Sequence, residues 1–281
     1  MISTRVAKNL WGENMYFGHR TLADLLGHET LTGLMFMAAI GRRPTDDERE
    51  VFDTVAVIMT SADGRIWPLK LGRLVSSYGG TLAGWCASLL TMEGPRLGPW
   101  TTGYSAQELV ELRAQVGERI DDEEAVVCEA RAFFERKRRV VGLGVPLRER
   151  DERYVALEAW VLRTGRDKLP HWRLHVALAA HGKRVANLGT NILLGLAAVL
   201  LDLGDYTPAQ ISALVTFVNQ NVFAANALEA AQQRSPEMQR LPDDCVLYVG
   251  PPARTSPRAA AERRRFEPLE PIYTDDGLAG A

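Results

Sequence analysis

The run Ile192–Leu203, ILLGLAAVLLDL, constrains the fold more than any other stretch. Its one charged residue is Asp202. It is shorter than the ~20 residues that a bilayer-spanning helix needs. A helix that is apolar on every side must be buried among other elements. The other apolar stretches follow helical spacing, and the period-two alternation of half-buried strands is almost absent. The chain is therefore expected to be all-α, with about twelve to fourteen helices at the usual helix length. No internal repeat of about 20–50 residues is visible.

In chain order, residues 1–20 read as an irregular or short extended lead. Thr21–Leu26 and Leu31–Ile40 read as helices. Gly41-Arg42-Arg43-Pro44 is a stop and a turn. Thr45 followed by Asp46, Asp47 and Glu48 then opens a helix over Asp46–Thr60. Leu69–Ser77 and Thr81–Met92 are two further apolar helices, and Gly94–Trp100 is a loop. Ser105 with Glu108 has capping-box spacing and predicts a helix from Ser105 to Gly117. Asp121–Arg139 is a charged helix. Glu152–Thr164, His171–His181, Thr190–Leu203 and Ala209–Gln233 complete the helical set. Val246–Gly250 reads as a short strand, and the segment from Pro251 onward as an extended or disordered arm.

The 281 residues suit one large domain or two small ones. The net charge of −2 offers nothing for non-specific nucleic-acid binding. Cys86, Cys128 and Cys245 are widely spaced, with no C-x-x-C, which fits a reducing cytoplasm and no metal site. The first twenty residues lack the apolar core of a signal peptide, so a cytoplasmic location is expected, with no membrane partner.

Chemistry concentrates around Val141-Gly142-Leu143-Gly144, which follows a basic helix. Two glycines allow positive φ or close approach of a ligand. Arg148, Arg150 and Arg153 lie just beyond, as planar donors suited to carboxylate or phosphate. The plainer alternative is a glycine turn followed by a solvated helix start.

The stretch resembles the G-[FIY]-G-H loop and D-P-R segment of citrate synthases and citryl-CoA lyases, including the lyase module of ATP-citrate lyase. Here it reads Gly142-Leu143-Gly144-Val145, then Asp151-Glu152-Arg153. Other segments are similar in the same order. Tyr16-Phe17-Gly18-His19 resembles the family's opening, Gly41–Glu48 its G-x-x-P-T-x-x-E turn, and Gly94-Pro95-Arg96-Leu97-Gly98 its G-P-x-H-G-G. Ala186–Gly195 resembles P-N-L-x-x-N-V-D-G, Asp202-Leu203-Gly204 follows at the family's distance, and Arg240-Leu241-Pro242 and Tyr248-Val249-Gly250-Pro251 lie near the end.

The resemblance implies a citrate synthase-like all-α homodimer. A large domain would comprise residues 1–98 and 188–250, a small domain 99–187, and an arm 251–281. It implies substrate or CoA contacts at Gly142, Leu143, Gly144, Arg148, Arg153 and Arg240. It also locates what is missing. Leu97 and Val145 stand at the two family histidines, Leu193 at the aspartate, and Gly64 at a substrate histidine. No leucine or valine can move a proton or donate a hydrogen bond. His19 and Asp63 are the substitutes to test. His171 and His175 are four apart on one helix, but no acid or cysteine completes a ligand set, so no metal is expected. His28, His181 and Tyr104 read as structural. No cofactor is implied, because a CoA thioester would be substrate. The expected function is a divergent protein handling an acyl-CoA or carboxylate, with C–C bond formation or cleavage by resemblance. The alternatives are a catalytically silent CoA- or metabolite-binding paralogue and a purely structural homodimer.

Overall fold

The computed structural model describes residues 2–62, 64–94, 98–137, 139–145, 150–233, 245, 247–251 and 256. Asp63, Leu97, Arg148 and Arg240 lie outside the described residues, as does nearly all of the C-terminal arm. The chain divides into residues 1–239 and 240–281. In the second unit, residues 247–250 form no strand where one was expected.

The first unit is helical: α1 Leu31–Ile40, α2 Asp46–Met59, α3 Trp67–Gly79, α4 Thr81–Leu90, α5 Gly98–Val116, α6 Glu123–Lys137, α7 Glu152–Thr164, α8 Pro170–Ala186, α9 Ile192–Leu201 and α10 Pro208–Gln233. The lead before them is more ordered than expected. Strands β1 Ala7–Leu10, β2 Glu13–Tyr16 and β3 His19–Arg20 make an antiparallel meander, with Ala7 opposite Tyr16 and Tyr16 opposite His19. Strands this short leave no legible alternation. Their second turn, Phe17-Gly18, has φ of 47° and 82°, the paired positive values that suit a two-residue hairpin loop. Thr21–Leu25 is a single π-helical turn and not the expected α-helix.

Helix starts follow local chemistry. Thr45 and Glu48 cap each other's backbone at the head of α2, and Thr207 and Gln210 do the same for α10. Gly41, at φ 88°, ends α1 in the left-handed region. Asp202, at the end of α9, accepts the amides of His171 and Trp172 at 2.8 and 2.9 Å and so caps α8 from a distance.

The apolar run becomes α9, packed against α2, α5, α7, α8 and α10. Every residue of α9 is buried except Leu193. Helix α10 is long and apolar enough to cross a membrane by length and composition, but it packs against α1, α2, α3, α4, α5 and α9 and buries one face among them. Helices α3 and α4 meet backbone to backbone. A Cβ on Gly72 would meet Ser88, and one on Gly84 would meet Ser76 and the Gly72 carbonyl.

Candidate functional site

The glycine loop is held from both sides. The Val141 amide donates to Glu108 Oε2 at 2.9 Å, and the Val141 carbonyl accepts from Ser105 Oγ at 3.1 Å. Ser105 is therefore an interior residue of α5 and not its cap. The helix begins seven residues earlier, at Gly98, with Pro99 in its first turn, where a proline costs no hydrogen bond. Gly142 sits at φ 88°, and a Cβ there would lie 2.5 Å from Leu194 Cβ. Its carbonyl accepts from the Asn191 amide at 3.1 Å, while the Gly144 amide donates to Gly189 at 2.6 Å. The loop is thus stitched to the turn that leads into α9.

The start of α9 is built by two side chains. Asn191 Oδ1 accepts the Leu193 amide at 2.9 Å. Asp151 Oδ2 accepts the Ile192 amide at 3.0 Å, and Oδ1 accepts the Arg153 amide at 3.1 Å at the head of α7. The Arg153 guanidinium closes on both Asp151 oxygens at 2.9 Å each. Burial alone would raise the Asp151 pKa, but Arg153 and the Ile192 amide outweigh it and hold the carboxyl below its ordinary value.

A cavity of about 1080 Å³ lies between these elements. Trp100, Thr101, Tyr104 and Glu108 of α5 form one wall. The Trp100 and Tyr104 rings are stacked, with centroids 5.1 Å apart. Glu108 is 2% exposed. Burial raises its pKa, only partly offset by the Val141 amide and the nearby Lys137. Lys137 itself pairs with Glu111 at 2.7 Å. The hydroxyl of Thr101 is buried without a partner.

Gly142, Leu143, Gly144, Val145, Arg153 and Leu193, all singled out in the sequence, line this cavity together. His19 does not; it lies on β3, paired with Tyr16. His171 binds Asp202 through Nδ1 at 2.9 Å. His175 is fully buried against Tyr154 and Trp172, and desolvation lowers its pKa to about 4. His181 is buried beside Phe134. The cavity roles of Glu108, Thr101 and Trp100 were not foreseen. The one available signal was their spacing with Tyr104, which sets all four on one side of α5.

No protein-family model and no curated protein matches the sequence. Solved structures do match in shape. A citryl-CoA lyase from Hydrogenobacter thermophilus has a TM-score of 0.76 at 19% identity, over 93% of this chain and 99% of that one. The chain has the citrate synthase/citryl-CoA lyase fold. An ATP citrate lyase from Methanothrix soehngenii, determined with citrate and coenzyme A, aligns at TM-score 0.65 and 17% identity over 89% of this chain and 42% of that one. Citrate synthase from Thermoplasma acidophilum aligns at 0.56 and 17%, over 81% of this chain and 58% of that one. On this citryl-CoA lyase-like fold the loop at Gly142 and the start of α9, packed on each other, border the same cavity.

Proposed function

We propose that the protein binds a CoA thioester or a small carboxylate in this cavity and does not carry out ordinary citrate condensation. One observation carries the reading: the glycine loop, Arg153, Val145 and Leu193 surround the same space. Condensation of a thioester requires a base for the α-proton and a donor for the enolate oxygen. Val145 and Leu193 supply neither. Either the chemistry is rebuilt on other groups or the protein is a silent binder. The silent reading is favoured by the state of the polar groups in the wall, since Asp151 is committed to Arg153 and Glu108 to Val141.

The two-lobed division, with residues 99–187 set within 1–98 and 188–250, belongs to the same proposal, as does a homodimer. The dimer is supported by α4, which has no charged residue, buries only Gly84 and Ser88 within the chain, and leaves Leu82 and Leu90 68% and 78% exposed. A second copy is the natural cover for such a face.

A thiol-release assay with acetyl-CoA and oxaloacetate, together with an assay of oxaloacetate formed from citryl-CoA, tests the chemical half. The reading requires turnover far below about one per second, the lower end of common enzyme values. Turnover above that value would show that other residues have taken over the proton transfers.

A further inference from the structure

We infer that the ligand held in this cavity carries an apolar acyl group longer than acetyl. The inference rests on the reading of the cavity as a CoA-thioester or carboxylate site, and it specifies the class of ligand. Leu193 is the one residue of α9 that is not buried, and it lines the cavity. Val145, Met59, Met92 and Phe223 line it as well. Methionine side chains adapt to irregular apolar shapes.

Among the described residues, the charged groups in the same wall are committed, except Arg139. Asp151 and Arg153 neutralise each other through two 2.9 Å hydrogen bonds. Lys137 is paired with Glu111. Arg139, which is exposed, makes no ion pair among the described residues and lines the cavity. A small polycarboxylate such as citrate needs several free cations or donors, because each desolvated carboxylate left unmatched is costly. A ligand with one anionic end for Arg139 and an apolar body leaves fewer groups unmatched. The volume, about 1080 Å³, lies just above the ~300–1,000 Å³ of ordinary ligand pockets and has room for an acyl chain longer than acetyl.

The test is equilibrium binding to the full chain, by calorimetry, of CoA, acetyl-CoA, octanoyl-CoA, octanoate and citrate. Full burial gains about fourfold in affinity per methylene. Octanoyl-CoA should therefore bind at least tenfold more tightly than acetyl-CoA. Leu193→Asp and, separately, Val145→Asp should remove most of that ratio. Equal affinity for acetyl- and octanoyl-CoA overturns the acyl inference and leaves CoA binding intact. Octanoate binding without any CoA binding upholds the apolar site and sinks the CoA reading. Citrate binding more tightly than octanoate overturns the inference. If both variants misfold, the wild-type chain-length series still decides the matter.

Discussion

The carboxylate of Glu108 accepts the Val141 amide at 2.9 Å, fixing the first residue of the glycine loop to the middle of α5. Removing it leaves a part-buried amide without an acceptor, which costs up to ~1–3 kcal/mol. Glu108→Ala should lower stability by that amount in urea unfolding and speed hydrogen exchange at Gly142–Gly144. Glu108→Gln keeps an acceptor and should cost less than half as much. Equal behaviour of the two variants would mean that the contact does not hold the loop.

Acid sensitivity should come from Glu29 and Glu48. The Glu29 side chain is 1% exposed. Burial would raise its pKa, but Arg49, the Thr30 amide and Arg43 bring it down to about 2. Glu48 behaves in the same way, with Arg42, the Tyr206 hydroxyl and the Thr45 amide holding it at about 2 against burial. Both are depressed from 4.5, so their stabilisation is complete above about pH 4.5 and is lost as the pH falls toward 2. Each is worth up to about 3 kcal/mol. Denaturation midpoints measured from pH 6 to pH 2.5 should fall steeply, and Glu29→Gln should flatten the lower part of that curve.

Much of the fold was legible because it is written locally. The Thr45–Glu48 box, the Gly41 stop and the apolar run of α9 each encode their own element, and the structure has them where the sequence put them. Ser105-x-x-Glu108 misled because the same three-residue spacing also sets two side chains on one face of a continuing helix. Only the tertiary position of Val141 shows which use is made of it. The meander was missed because its strands are too short to carry a pattern. Within the site, Leu193 and Val145 were found through register with a family. The commitment of Arg153 to Asp151 was invisible, since the same Asp-x-Arg spacing equally allows a free guanidinium.

The crossing of α3 and α4 leaves no room for a side chain. A Cβ on Gly84 would approach the Gly72 carbonyl to 2.3 Å, and backbone cannot step aside there as a flexible side chain can. Gly84→Ala should destabilise by ~1–3 kcal/mol or more, as overpacked cores do. Gly79→Ala, whose Cβ would meet only Ala83 at 3.9 Å, is the matched control and should change the melting temperature little.

The exposed face of α4 should join two copies. Light scattering at micromolar concentration should give twice the chain mass. Leu82→Glu with Leu90→Glu should halve it without loss of helical signal. A wild-type monomer at that concentration would contradict the dimer.

Calorimetric titration of CoA into the wild-type protein tests the central claim most directly. The account predicts saturable binding at one site per chain. It also predicts that Gly142→Ala distorts the loop and weakens the binding, because that position has φ 88° and a Cβ there would meet Leu194 at 2.5 Å. No heat of binding at millimolar CoA, or binding that Gly142→Ala leaves unchanged, would contradict it.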